Sequence, residues 1–208
     1  MTSGTDVLAP IRVVVAEDQV MVLGALAALL DMEADLSVVA QARDGLEAIE
    51  AVRTHRPDVL ITDIEMPGLN GLDVARQVSE PKGPRVIVLT IFARAGYFRR
   101  AMAAGVAGYL VKDRPASELA DAVRRVARGL RVFDHELAAE AWNEPDPLTD
   151  RERQALTLAG EGKTSAQIGA LLRLSDGTVR NYLSDSIAKL GAANRVEAAR
   201  LARLKGWL

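Results

Sequence analysis

Five polar residues stand at the ends of apolar runs. Glu17 and Asp18 close "IRVVVAED", Asp63 closes "DVLITD", Thr90 closes "RVIVLT" and Lys112 follows "GYLV". Carboxylates gathered at one place repel one another unless a cation joins them. Their oxygens are hard ligands of the kind that suits Mg²⁺, which keeps several waters and also contacts phosphate oxygens. A hydroxyl and an ammonium alongside can bind phosphoryl oxygens, and a carboxylate such as Asp63 can act as a nucleophile and become an aspartyl phosphate. Each residue alone has a plainer reading. An aspartate after a strand is usually a cap or turn former, Glu17-Asp18 can open a helix, and Lys112-Asp113 can be a solvated turn. Only their convergence at one edge separates chemistry from turn-making.

That convergence requires particular elements. "IRVVVAED" (11–18), "LSVVAQA" (36–42), "DVLITD" (58–63), "RVIVLT" (85–90) and "GYLVKD" (108–113) read as strands. Their unbroken hydrophobicity suits burial on both faces, as in a parallel sheet. Helical patterns lie between them at 20–31, 44–55, 71–80, 94–104 and 115–129. Asp44-x-x-Glu47 has the form of a capping box, and Pro115 sits where a first turn tolerates it. Five β-then-α repeats predict a doubly wound α/β domain with a five-stranded parallel sheet and right-handed crossovers. In such a sheet ligands bind beyond the carboxyl ends of the strands, where the polar residues fall.

Composition removes much alternative chemistry. The 208 residues include no cysteine, which excludes disulfides, thiolate catalysis and cysteine-based zinc sites. The two histidines, His55 and His135, have no spacing that suggests a metal site or triad. No run approaches the roughly 20 apolar residues of a membrane span, and "MTSGTDVLAP" lacks a signal-peptide pattern, so a cytoplasmic location without membrane insertion is expected.

The chain changes character after Gly129. "FDHELAAEAWNEPDP" (133–147) contains a short helical pattern, and Pro145 and Pro147 discourage its continuation. The expected division is a domain over 1–131, a linker over 132–147 and a helical domain over 148–208. The stretch 146–208 carries ten Lys and Arg against seven Asp and Glu, leaving 16 and 21 for the rest. An acidic front and a mildly basic back suggest modules with different partners. Thr149-x-x-Glu152 is a second capping-box pattern, with Gly160 or Gly162 as the helix stop. "SAQIGALLRL" (165–174) and "DGTVRNYLSDSIAKL" (176–190), separated by a turn, read as helix-turn-helix. On the second helix Val179, Leu183, Ile187 and Leu190 share one face and should pack inward. Arg180, Asn181, Ser184 and Asp185 lie outward. Arg and Asn suit the edges of guanine and adenine in the major groove, while Lys163, Thr164, Ser165, Lys189 and Arg195 are candidates for phosphate contacts. A short amphipathic helix of mixed charge is, on its own, more often a solvated surface, and Asp185 is an awkward neighbour for phosphates.

The longer motifs carry a resemblance. "VVVAED", "DVLITDIEMPGLNG", "VIVLT" and "GYLVKD" resemble the receiver domain of two-component response regulators over about residues 10–130. The resemblance implies phosphorylation of Asp63 by a partner sensor histidine kinase. It places Mg²⁺ on Asp18, Asp63 and the main-chain carbonyl of Glu65, with Glu17 in support, and makes Thr90 the switch hydroxyl, Lys112 the phosphate-contacting lysine and Tyr109 the switch aromatic. Glu65 beside the acceptor and Ile91 after the switch threonine depart in character from the common pattern, which bears on the lifetime of the phosphoryl group. "LTDRE", "GKTSAQIG" and "GTVRNYLSDSIAKLGAANRVEA" resemble the four-helix DNA-binding domain of the NarL/FixJ (LuxR-type) regulators. This makes 178–190 the recognition helix and 194–204 a candidate dimerisation helix, and implies a homodimer on paired half-sites in promoter DNA. "AEDQVMVLGAL", "DIEMPG", "FARAGYFRRAMAAGVAGYLVKD" and "GTVRNYLS" are similar to the DesR-type subgroup, which implies a membrane thermosensor kinase and control of lipid-desaturation genes. Two other readings compete with a DNA-binding regulator. A receiver acting only through protein contacts is one. The other is an aspartyl-phosphate phosphatase of the haloacid dehalogenase type, which would need an aspartate where Glu65 stands and a cap domain that is not evident. No enzymatic activity is therefore expected.

Overall fold

The computed structural model describes residues 9–79, 83–91, 94–113, 115–133, 138–139 and 146–208. The chain forms two compact units, the first built mainly from the described residues up to 133 and the second mainly from 146–208. The expected linker and the short helical pattern within it fall largely outside the described residues.

The first unit alternates β1 (Ile11–Ala16), α1 (Val20–Asp31), β2 (Leu36–Ala42), α2 (Gly45–His55), β3 (Val59–Thr62), α3 (Gly71–Val78), β4 (Arg85–Thr90), α4 (Ala95–Ala103), β5 (Gly108–Val111) and α5 (Ala116–Ala127). A two-residue strand, β6 (Val132–Phe133), follows α5 and pairs in parallel with β5, Tyr109 lying opposite Phe133. The sheet order is β2-β1-β3-β4-β5-β6, all parallel. It therefore has six strands rather than the five expected. The sixth is too short to leave a period in the sequence, and its residues were expected to open the linker.

Continuous burial explains the strand sequences. Val13, Val14, Val59, Leu60, Ile87 and Val88 are each fully buried, as parallel strands covered on both faces must be. Leu23 and Leu30 of α1 and Leu119, Val123 and Val126 of α5 cover the sheet in one apolar cluster with Val13, Ile61 and Ile87. Arg124 of α5 ties these helices together. It donates to Asp35 at 2.8 and 2.7 Å and to Glu33 at 2.5 Å, both in the α1–β2 connection.

Helix starts follow side-chain caps, with one departure from expectation. Asp44 accepts from the N–H groups of Leu46 and Glu47, both at 2.8 Å. Glu47, however, accepts from the N–H of Arg43 at 2.8 Å, so the reciprocal half of the box is displaced by one residue.

The second unit contains α6 (Asp150–Gly160), α7 (Ser165–Leu172), α8 (Asp176–Leu190) and α9 (Arg195–Leu204). Thr149 with Glu152, and Thr164 with Gln167, form complete capping boxes. Leu156, Ile168, Val179, Leu183, Ala198 and Ala202 make its separate core. Val179 and Leu183 are buried as the pattern predicts, and Ile187 and Leu190 pack partly buried against them.

Candidate functional site

Backbone pairing brings the acidic residues together. Sheet order reverses between β1 and β3, the switch point at which doubly wound sheets bind ligands. Just beyond these strands, the N–H of Asp63 donates to the carbonyl of Ala16 at 2.9 Å, and the N–H of Glu17 donates to Ala42 at 3.0 Å. Carboxylate oxygens of Glu17, Asp18 and Asp63 all lie within 4.8 Å of one another. Glu17 and Asp63 are buried, whereas Asp18 is exposed.

Lys112 completes the cluster from the end of β5. Its Nζ donates to Glu17 Oε2 at 2.6 Å and to Asp63 Oδ2 at 2.9 Å. Asp63 Oδ1 accepts from the N–H of Ile64 at 2.7 Å. Burial pushes the Glu17 carboxyl above the ordinary range, against the pull of Lys112. Burial acts on Lys112 in the opposite sense, but its hydrogen bonds to Glu17 and Asp63 outweigh that and raise it, so the ammonium stays charged. One lysine, bonded to two of them, thus stands in a cluster of three acids. The surplus of hard oxygen donors, one with its charged form disfavoured by burial, fits a divalent cation.

Thr90 is fully buried at the end of β4, and its carbonyl accepts from the N–H of Lys112 at 2.8 Å. Tyr109 is buried in β5 beside β6, at 1 % exposure. Glu65 is exposed two residues after Asp63, and Ile91 is 58 % exposed. The backbone of Asp63 is itself clamped. Thr62 Oγ1 donates to its carbonyl at 3.0 Å, and a Cβ on Gly71 would lie 1.8 Å from the same oxygen. Only glycine lets α3 begin this close to Asp63.

Two family matches bear on this arrangement. Residues 13–124 match the response regulator receiver domain, and residues 146–202 match the bacterial regulatory proteins of the luxR family. The chain belongs to the response regulators. Among its relatives are the Bacillus subtilis transcriptional regulatory proteins YvfU, 52 % identical over 95 % of this chain and all of YvfU, and DesR, 47 % identical over 95 % and 98 %. The crystal structure of the response regulator ChrA, from a heme-sensing two-component system, is similar with a TM-score of 0.57 and 34 % identity, covering 97 % of this chain and all of that one. This response regulator is a DNA-binding transcriptional regulator of two-domain type, and its relatives are regulators rather than enzymes. Among the described residues, no helix is long and apolar enough to cross a membrane.

In the DNA-binding unit, the exposed residues of α8 include Gly177, Arg180, Asn181, Ser184, Asp185 and Ala188. Their three- and four-residue spacing makes one outward stripe. Arg195 Nη1 approaches the Lys163 carbonyl at 3.5 Å, so the start of α9 lies beside the start of α7, where Thr164 and Ser165 sit. Thr164 Oγ1 is the cap that accepts from the Gln167 N–H at 3.3 Å. Lys189 is placed differently from the phosphate-contacting role expected. Its Nζ donates to both oxygens of Glu152, at 2.8 and 2.7 Å, so its charge is engaged inside the unit. These partners are 37 residues apart, and no local pattern announces such a pair. The four-residue spacing of Asp176 from Arg180 is the sequence signal of a further pair. The two form a salt bridge at the start of α8.

Proposed function

We propose that this regulator takes its signal at Asp63, from a phosphohistidine on a partner sensor kinase in the cytoplasm. Asp18, Asp63 and the Glu65 carbonyl, supported by Glu17, would hold Mg²⁺. The ion supplies charge neutralisation on the transferring phosphoryl oxygens. A carboxylate oxygen of Asp63 attacks phosphorus, the phosphorus–nitrogen bond breaks, and the imidazole leaves with its electron pair. The Ile64 N–H and the Lys112 ammonium orient the acceptor. Thr90 and Lys112 then contact the new phosphate, with Tyr109 answering on β5. The observation that carries this reading is Lys112 bridging Glu17 and Asp63 beside Asp18.

Lys112 also joins the site to a surface. It lines a small apolar cleft of about 150 Å³ with Val22, Leu26 and Leu29 of α1 and Leu119 of α5. Drawing Lys112 onto a phosphoryl group changes that cleft, which supports α1 as the pairing surface of the phosphorylated homodimer. Two α8 helices then meet paired half-sites, Arg180, Asn181 and Ser184 facing bases, with Lys163, Thr164, Ser165 and Arg195 near phosphates. The DesR-type motifs support a membrane sensor and lipid-desaturation genes as its context. Comparable identity to YvfU means identity alone does not select those genes, and mapping bound promoters genome-wide with and without Asp63 tests them.

Acetyl phosphate with Mg²⁺ tests the acceptor without a kinase. The wild-type chain should gain one phosphoryl group by intact mass, and Asp63→Asn should gain none. Equal labelling of the variant would remove Asp63 from the mechanism.

A further inference from the structure

The start of α8 has a construction that base contacts alone do not explain. Asp176 is its first residue, and Arg180 follows one turn later on the same face. The Asp176 carboxylate pairs with Arg180 Nη2, the two side chains being 39 % and 71 % exposed. Asp176 is not needed to cap the helix. Ser175 does that, its hydroxyl accepting from the Thr178 N–H at 3.1 Å. Between the pair lies Gly177, exposed, where an added Cβ would meet only Ser175 Oγ, at 3.9 Å. The outward side of this first turn is therefore bare except for an acid and the arginine it holds.

An acid on a surface that approaches DNA phosphates lowers affinity for every sequence. We propose that Asp176 is a specificity-determining positioning residue: its carboxylate fixes the Arg180 guanidinium in the orientation that reads a guanine edge. The proposal rests on α8 being the base-reading helix. Guanidinium carries five N–H donors in a rigid fork. Asp176 engages one edge, leaving the others to reach guanine O6 and N7 in the bidentate manner that distinguishes guanine from other bases. An exposed arginine must otherwise be ordered on binding, and holding it beforehand reduces that cost. Bare Gly177 lets the groove wall approach the pair. The plainer role of Asp176, an acid favoured by the positive end of a helix, affects helix stability equally for every DNA sequence.

The two roles predict opposite signs, which makes them separable. Binding sites are selected from a random duplex library with the phosphorylated full-length protein, and affinities are measured for the selected site, its single-base variants and an unrelated duplex. Asp176→Asn should bind the unrelated duplex as well as or several-fold better than wild type, because a like charge is gone. Its preference at one guanine per half-site should fall roughly tenfold. Arg180→Ala should lose preference at that same guanine, and adding Asp176→Asn to it should cost nothing further there. If Arg180→Ala loses that preference while Asp176→Asn retains every preference, the positioning role is overturned and the reading of α8 stands. A uniform loss by Asp176→Asn across all duplexes, with a lowered melting temperature, reduces Asp176 to a helix stabiliser and also overturns the proposal. If Arg180→Ala changes no preference, the base-reading role of Arg180 falls, and the proposal with it.

Discussion

Around Asp63, the residues suited to chemistry and the residues that hold them are unequally visible in the sequence. Asp63 stands out in sequence because an apolar strand ends on it, and Glu17, Asp18, Thr90 and Lys112 stand out for the same reason. Gly71 does not, since "GLNG" reads as an ordinary turn. Its function is spatial: α3 begins against the Asp63 carbonyl, with Thr62 Oγ1 bonded to the same oxygen. A methyl group at position 71 would lie 1.8 Å from that oxygen and 2.7 Å from Thr62 Oγ1, and backbone has little freedom to yield. Overpacking of this kind costs about 1–3 kcal/mol. Gly71→Ala should therefore lower the unfolding midpoint of the first unit. It should also slow labelling by acetyl phosphate, because relief of the clash moves the acceptor peptide. Removing the hydroxyl alone, in Thr62→Val, should leave the midpoint less affected while still slowing labelling. Parallel denaturation and intact-mass time courses separate the two effects.

Among elements, those with a long period were legible and those made by distant partners were not. The five principal strands and the helices follow from unbroken apolar runs and three- to four-residue patterns. β6 is two residues long and exists only because β5 offers an edge to pair with. The start of α6 was readable as a capping box, but its brace was not: Glu152, 4 % exposed, takes Lys189 from α8 as well as the Thr149 N–H. Burial alone would raise the Glu152 carboxyl, but Lys189 and the Thr149 cap outweigh it and leave the group below its ordinary range. Folded protein thus binds this proton more weakly than unfolded protein. The resulting stability is present in full above the ordinary carboxylate value, about 4.3, and is lost as pH falls through the lower folded value. Glu152→Gln should destabilise the second unit by about 1 kcal/mol at pH 7, a modest figure because Lys189 is partly exposed. The gap from wild type should close in urea titrations as pH is taken toward 3. At the end of α7, Arg173 holds φ at 57°, a left-handed conformation that glycine adopts freely. The strain of about 1–2 kcal/mol for a side chain there exceeds the extra entropy glycine loses on folding. Arg173→Gly should raise the unfolding midpoint.

On the scale of the whole molecule, the proposed function requires phosphorylation to become a change in DNA occupancy, and the surface of α1 supports it as the pairing face. "VMVLGALAALLD" carries no charge before its final residue, although much of it faces solvent. Met21 is 89 % exposed, Met32 81 %, Val20 62 % and Leu29 43 %, with Gly24, Ala25 and Ala28 exposed between them. Large residues flanking small ones give a second helix both apolar surface and room for close approach. Arg124 fixes α5 alongside through Glu33 and Asp35, and Lys112, which donates to Asp63, lines the intervening cleft, so Asp63 and this face share a side chain. Ala25→Asp places a charge on that face, at an exposed residue outside the acidic cluster, the core and the cleft that Lys112 lines. It should accept a phosphoryl group from acetyl phosphate as wild type does, yet remain monomeric in sedimentation velocity runs where phosphorylated wild type pairs. Pairing converts the second half-site into an intramolecular event, a gain of about 10²–10⁴ in affinity. Phosphorylated Ala25→Asp should accordingly bind a two-half-site duplex no more tightly than a single half-site. A variant that still dimerises and retains that gain would move the pairing surface elsewhere on the receiver.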